Sequence, residues 1–524
     1  MSDLREEQGG AFQGDCCMSH SEGDGRAAGW NRREFLATAG LAAAAGAALP
    51  TLLSAASSQS REPQRQPPIR LTLRVQPVFN CEIYERKPAT SWRVTGAIQN
   101  EQELREEEAH IRRDLAEMAA VATFPLEILP LVTVRNVEQA TAAARGDHDV
   151  LIMYAARRNR PVLEALAATD KWNLMFVRHR SGPLYYMYIG AHTHFLRKTR
   201  DEYGEPHMTV QDVVVDDHGE LLWRLRALYG LKNTVGRRIV AVGGPSGWGE
   251  AGRGAPDRAI ERWKLDIRTV TYPELGERIK KARQNAALVR RCEADADRYL
   301  RQRGVSLETS REFVQKAFVL TEVFRDLLDE AQTDAITVSS CMSTIMPISE
   351  TTACLPLTLL NDEGYMAFCE GDFVAIPAGI LLRQIAGTPV FFCNPSFPHN
   401  GIVTVSHCTA PRKMDGRRFE PARIVTHYES DYGAAPKVEM RKGQAITVID
   451  SDFAGQRWLG FQGKIADTPF FPICRTQLDI AIRGNWETLR DEARGFHWMV
   501  SYGSYLREIG YAVKKAGVDL LKVS

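Results

Sequence analysis

The sequence lacks a net charge and several motifs that mark common classes of protein. Its 66 Lys and Arg residues offset 65 Asp and Glu residues, which leaves a net charge of +1. Without a basic excess the chain has no general attraction for nucleic acid or an anionic membrane, so we expect no nucleic-acid partner. None of the ten cysteines stands in a C-x-x-C pair, and the sequence therefore supports neither a zinc ribbon nor a dithiol redox motif.

A glycine-rich turn at residues 243–249 (GGPSGWG) also lacks the marks of a nucleotide site. It has no P-loop lysine, and its spacing is wrong for a dinucleotide fingerprint. Such a turn can cradle a phosphate, or it can connect a strand to a helix beside a cleft. We favour the second interpretation, and we expect no nicotinamide, flavin or nucleotide cofactor.

The N-terminus carries the pattern of a twin-arginine signal peptide. Residues 31–36 read NRREFL, and the alanine-rich residues 37–53 follow with almost no polar side chain. Because alanine is only weakly hydrophobic, such a stretch is typical of an export signal that a receptor recognises rather than of a membrane anchor. The pattern predicts a signal peptide over residues 1–56, a polar linker over residues 57–68, the twin-arginine machinery as a partner and a periplasmic location. Two of the ten cysteines lie in the predicted signal peptide. Since such proteins are exported folded, the other eight can stay free, and their pairing is open.

The length and hydrophobic patterning predict several domains with mixed secondary structure. A chain of 524 residues exceeds what one core usually supports. Short strand patterns alternate with amphipathic helices, as in parallel sheets with crossover helices. We expect two Rossmann-like α/β domains (residues 69–235 and 236–345), with long helices near residues 272–303 and 307–331. Residues 346–524 should contain a β-rich, barrel-like domain that closes with a helix over residues 502–516.

The densest polar cluster in an apolar region contains Glu370 and Asp372, in the sequence CEGD. Apolar runs stand on both sides of it. Buried carboxylates are costly unless they are paired or bind a metal. A metal site is one explanation; a helix cap or a pair with Arg383 is the other.

Further polar candidates follow at the ends of predicted strands. Asn394 ends GTPVFFCN, His407 ends IVTVSH, and His497 stands among aromatic residues. Taken singly, each histidine is more often structural than a ligand. Glu350, and Arg412 with Lys413, are weaker candidates for which a solvated loop is the alternative.

Taken in order, these motifs resemble the C-terminal half of the L-fucose isomerase and L-arabinose isomerase family. The resemblance runs from about residue 335 to the C-terminus and is carried by EGD, GTPVFFCN, VSHC and the late histidine. It implies an α/β, α/β, β-barrel order, a homo-oligomer and a divalent metal, with manganese favoured. Glu370 matches the first carboxylate of that family, and His407 and His497 match its histidines.

The resemblance implies the interconversion of an aldose and a ketose through an enediol, with a small sugar as the partner. A metal polarises the sugar oxygens while carboxylates move the proton, which gives Glu370 and Asp372 catalytic roles and makes Glu370, Asn394, His407 and His497 the metal ligands. Asn394 stands where the family has a second carboxylate, and an amide cannot act as a base. The alternatives are a carbohydrate-binding protein without catalysis and a metal-dependent hydrolase or lyase.

Overall fold

The computed structural model describes residues 70–83, 88–89 and 98–523, all of which belong to a single compact unit over residues 65–524. The predicted signal peptide (residues 1–56) and linker (residues 57–68) lie outside the described residues. Among the helices that the structure describes, none combines the length and the apolarity that crossing a membrane requires.

The first part of the described chain builds a parallel sheet with helices. Its strands follow the order β2-β1-β4-β5-β6, and β3 also pairs with β1. The elements, in chain order, are β1 (Leu73–Asn80), α1 (Glu101–Ala120), β2 (Leu126–Ile128), β3 (Val132–Val134), α2 (Val137–Ala144), β4 (Val150–Ala155), α3 (Arg160–Ala167), β5 (Trp172–Val177), α4 (Met187–Gly190), β6 (Val213–Val215) and α5 (His218–Lys232).

The residue types explain this local structure. Every residue of β4 (VLIMYA) is buried, as expected for a parallel strand with helices on both faces of the sheet. Helix α1 begins where the side chain of Asn100 accepts hydrogen bonds from the backbone N–H groups of Gln102 and Glu103, which satisfies two donors that the helix leaves free. Its buried residues include Leu104, Ile111 and Leu115, and these positions form one apolar face.

A second parallel sheet, of order β11-β10-β7-β8, follows in the chain. Its part of the chain contains β7 (Arg238–Val242), α6 (Gly249–Gly252), α7 (Ala255–Trp263), β8 (Asp266–Val270), α8 (Tyr272–Gln284), α9 (Ala286–Leu300), β9 (Val305–Leu307), α10 (Arg311–Ala331), β10 (Ala335–Val338), α11 (Met346–Ser349), α12 (Cys354–Asp362), β11 (Met366–Phe368) and α13 (Ile376–Ala386).

The C-terminal part forms a closed six-stranded β-barrel. Its strands follow the order β16-β19-β12-β13-β18-β17, and pairing of β17 with β16 closes it. The elements are β12 (Phe391–Pro395), β13 (Ile402–His407), β14 (Ala422–His427), β15 (Tyr432–Val438), β16 (Ala445–Ser451), β17 (Arg457–Asp467), β18 (Thr476–Arg483), α14 (Trp486–Glu492), β19 (Trp498–Tyr502), α15 (Leu506–Lys515) and β20 (Asp519–Val523). Strand β20 adds to β17, and β14 pairs with β15 and β9 in a small separate sheet.

The structure confirms a mixed α/β chain with parallel sheets and a C-terminal barrel, while the domain limits stay predictions. Two local expectations were wrong. The helical stretch at residues 272–303 is divided at Asn285, whose side chain caps the start of α9. The last helix begins at Leu506 rather than near Tyr502, because residues Trp498–Tyr502 pair with both β12 and β16 as a barrel strand.

Candidate metal centre

The turn after β11 places Glu370 where β10 and β11 end beside each other in the second sheet. Glu370 has a φ of +61°, which is unusual for a residue with a side chain and costs on the order of 1 kcal/mol. The next residue, Gly371, also has a φ of +61°, and a Cβ atom on it would lie 2.1 Å from Oγ of Ser339. Its N–H donates to Oγ1 of Thr337 on β10, over 3.2 Å. The backbone thus holds Glu370 in a strained, defined position, as functional sites often require.

Asp372 follows Gly371 in the chain and is 1% exposed. Its Oδ1 atom accepts hydrogen bonds from the backbone N–H groups of Trp248 (3.2 Å) and Val374 (3.0 Å). Its Oδ2 atom lies 2.7 Å from Nδ1 of His497. One buried carboxylate therefore connects the glycine-rich turn, the start of the segment that leads into α13, and the last histidine of the candidate site.

The two histidines come from the barrel. His407 is the last residue of β13, and His497 immediately precedes β19; both are buried. The ring of Phe392 on β12 contacts both, with its centroid 5.1 Å from that of His407 and 4.4 Å from that of His497. Nδ1 of His407 lies 3.0 Å from Oγ1 of Thr409. Each ring is thus held by packing and by a polar partner at Nδ1.

The Nε2 atoms of both histidines converge on the carboxylate of Glu370. His407 Nε2 lies 3.3 Å from Oε1, and His497 Nε2 lies 3.2 Å from Oε2. The three side chains offer ligand atoms that all lie within 4.8 Å of one another. Ligands at right angles around one ion, each about 2.2 Å from it, are about 3 Å apart. The distances from Glu370 to each histidine are therefore those of neighbouring ligands on one cation.

The electrostatics of the cluster also favour a cation. Burial would raise the pKa of Glu370, but the hydrogen bond with His407 and the neighbouring His497 outweigh it and hold that pKa well below its usual value. Burial would lower the pKa of His497, but the carboxylates of Asp372 and Glu370 outweigh burial and raise it. Both shifts have the same cause, the attraction between the carboxylates and the imidazole rings, and they favour an ionised Glu370 beside the position that a cation would take.

The protonation pattern fits a metal ligand at His497. Because Asp372 only accepts hydrogen bonds, Nδ1 of His497 must donate to it, which leaves Nε2 as the atom that faces Glu370. Within the described part of the chain, Nε2 is buried and finds no well-oriented hydrogen-bond partner. A histidine whose other nitrogen donates to a carboxylate is the usual arrangement at metal sites. The group can therefore hold a metal ion, and one carboxylate with two imidazoles suits several divalent metals.

Asn394 lies on β12, between the strand that ends at His407 and the strand that His497 precedes. It pairs with Ser406, the residue before His407, and it lies two positions after Phe392 on β12. Alternate residues of a strand share a face, so Asn394 and Phe392 lie on the same side. Its part in binding a metal stays a prediction, as do the catalytic roles of Glu370 and Asp372.

The weaker candidates lie in other surroundings. Glu350 forms ion pairs with Arg283 (2.9 Å) and Lys316 (2.7 Å) at the surface. Arg412 is fully buried rather than solvated, and its guanidinium donates to the carbonyl of Glu420 and to the side chain of Gln302. The structure therefore gives each of them a structural partner.

Sequence reasoning missed two neighbours of the site. Thr409 was not selected, although it stands two residues after His407 in the chain. Trp248 was seen only as part of a turn beside a cleft, and the turn does lie against the site, since Ser246 forms a β-bridge with Asp372. The contact between Ser246 and Asp372 joins residues that lie far apart in the chain, and such a contact leaves no signal in a single sequence. Comparison with known proteins adds no relative, since neither a protein-family model nor a curated protein matches this chain.

Proposed function

We propose that this protein is a metal-dependent ketol isomerase that interconverts an aldose and a ketose of a monosaccharide or a modified sugar. The observation that carries the proposal is the convergence of both histidine Nε2 atoms on Glu370, with each Nδ1 held from behind. These are residues of the motifs that resemble the fucose and arabinose isomerases. The order of parallel sheets and a terminal barrel is compatible with the two Rossmann-like domains and barrel of that family, and we include this finer architecture in the proposal.

Each residue has a defined task in the proposed reaction. Glu370, His407 and His497 would hold the metal, which supplies polarisation of the sugar carbonyl and the neighbouring hydroxyl. Asp372 fixes the ring of His497, because it is buried behind that ring. The side chain of Glu370 is 39% exposed, so it is the carboxylate that can reach a sugar.

Glu370 is therefore our candidate for moving the proton between neighbouring carbons, and we propose that Asp372 acts on the reaction through His497. The amide of Asn394 is suited to orient a sugar hydroxyl, since it donates and accepts hydrogen bonds but cannot take up the proton. This assignment leaves a single carboxylate for the chemistry.

A second candidate function follows from the lack, among the described residues, of a second accessible carboxylate beside the proposed metal. Asp372 already accepts three hydrogen bonds and is 1% exposed, so it is not free to serve as the second carboxylate that Asn394 fails to provide. A site with a metal and a single accessible carboxylate is also suited to bind a sugar without converting it. This carbohydrate-binding function is the alternative that the test below separates.

The test is ketose formation from a panel of aldoses by the protein loaded with manganese, followed by deuterium uptake from solvent at the carbon next to the carbonyl. We expect at least one aldose to be converted by the wild type and none by Glu370→Gln. We expect Asn394→Asp, which restores a carboxylate, to raise turnover. If the wild type retains the metal and binds sugar but neither it nor Asn394→Asp forms ketose or exchanges deuterium, the isomerase proposal is wrong and the binding function replaces it.

A further inference from the structure

The glycine-rich turn at residues 243–249 is shaped to present one large aromatic side chain beside the candidate metal centre. Gly244 has a φ of +89°, which residues with a side chain rarely adopt. A Cβ atom on Gly247 would lie 2.0 Å from the carbonyl oxygen of Gly252, so only glycine permits this close approach of the two backbones. The turn contains Trp248, which is 47% exposed to solvent.

The turn is fixed to the segment that bears the site. The N–H of Ser246 donates to the carbonyl of Gly371 over 3.0 Å, and the N–H of Phe373 donates to the carbonyl of Ser246 over 2.9 Å. The N–H of Trp248 donates to Asp372, the same carboxylate that orients His497. The position of Trp248 is thus coupled directly to that of a candidate metal ligand.

Trp248 stacks on a second exposed aromatic residue, Phe496. Their ring centroids lie 4.3 Å apart with an interplanar angle of 30°, and Phe496 is 39% exposed. The ring of Phe496 contacts His497 edge-on at 4.8 Å, and that of Trp248 lies 6.4 Å from His497. Two large aromatic side chains therefore remain partly open to solvent next to the cluster of polar ligands, and core packing does not account for their exposure.

We infer that Trp248 and Phe496 form a stacking wall that receives the apolar C–H face of a cyclic sugar and aligns its hydroxyls with Glu370. This inference rests on the proposed function, which it extends to a substrate class: pyranoses with several ring hydrogens on one face. Sugars combine apolar C–H faces with polar edges, and this site combines aromatic faces with a carboxylate in the same way. The wall consists of two side chains, which matches one ring, whereas a stable protein interface buries about 800 Å² on each partner.

The test is calorimetric titration of the manganese-loaded full chain with L-fucose and D-galactose as probes. The variants are Trp248→Ala, Trp248→Phe and Phe496→Ala. Trp486→Ala is the matched control, because its ring packs under the guanidinium of Arg490 at 5.4 Å in another part of the barrel region. Metal content, ketose formation and particle mass by light scattering are measured on the same samples.

We expect Trp248→Ala to weaken the binding of at least one probe about tenfold, the upper range for an aromatic contact. Trp248→Phe should recover most of the affinity, Phe496→Ala should weaken it, and metal content and Trp486→Ala should match the wild type. A wild type that binds through Trp248 but forms no ketose supports the wall and removes the isomerase reaction. The inference would be overturned if Trp248→Ala bound the probes as tightly as the wild type, or if the metal-loaded wild type bound neither probe. It would also be overturned if Trp248→Ala lost its assembly, because a second copy of the chain would then cover Trp248 and Phe496.

Discussion

Replacement of Asp372 by asparagine should weaken metal binding with little change in shape. In the wild type, Oδ1 accepts the N–H groups of Trp248 and Val374, and Oδ2 accepts Nδ1–H of His497. The two backbone donors oblige the amide oxygen of the variant to take the Oδ1 position. Its NH₂ group must then face His497, where an acceptor stood before.

The consequence reaches the metal through the histidine ring. Facing a donor, Nδ1 of His497 becomes the acceptor, and the ring proton moves to Nε2, the atom that is needed as a ligand. Loss of such a supporting partner typically costs 10- to 100-fold in metal affinity, or about 1.4–2.7 kcal/mol. The carboxylate and the ring are both about 1% exposed, so water cannot substitute, and we expect the upper half of that range.

The assay is competition for manganese between the protein and a fluorescent chelator, with thermal unfolding to show that each variant is folded. Asp362→Asn is the matched control, since Asp362 is a buried aspartate that accepts the N–H of Lys413. Equal affinity in Asp372→Asn and the wild type would refute the reasoning, because the orientation of His497 would then not depend on Asp372.

Two further predictions concern stability. Burial raises the pKa of Asp362 from 3.8 to about 7, against the smaller effect of the Lys413 N–H. Between these pH values the unfolded chain loses this proton first, so the contribution of Asp362 to the free energy of unfolding should fall with rising pH by up to about 4 kcal/mol. In urea titrations the stability difference between the wild type and Asp362→Asn should therefore change with pH over this range, and a constant difference would contradict the argument. Gly371→Ala should lose about 1–2 kcal/mol or more through its φ alone and should bind manganese more weakly, because the new Cβ meets Ser339. Gly276→Ala, in a helix with open space around that position, should be neutral or stabilising; a Gly371→Ala variant as stable and as metal-rich as this control would contradict the argument.

The sequence predicted those parts of the fold that local patterning determines. Buried parallel strands such as β4 and β7 appear as short apolar runs, and α1 appears as an amphipathic stretch. The last helix was predicted to begin at residue 502, but Tyr502 ends the barrel strand β19 and the helix begins at Leu506. Pairing with β12 and β16 decides for the strand, and such pairing between distant segments is not encoded locally.

The candidate site was predictable as a set of residues but not as an arrangement. Glu370, His407 and His497 were selected from their motifs, and the structure brings them together. The support of His497 by Asp372 was not foreseen, because it joins residues 125 positions apart. Burial decides the difference between the two carboxylates: Glu370 remains accessible while Asp372 is enclosed, and neighbouring residues in one motif thereby acquire different tasks.

The most direct test of the central claim is the metal content of the purified, manganese-exposed protein by elemental analysis, for the wild type, Glu370→Gln and Glu350→Gln. Glu350 is the matched control, since it is a surface glutamate paired with Arg283 and Lys316. We predict about one metal ion per chain in the wild type and in Glu350→Gln, and its loss in Glu370→Gln. A folded wild type without metal, or undiminished metal in Glu370→Gln, would contradict the account.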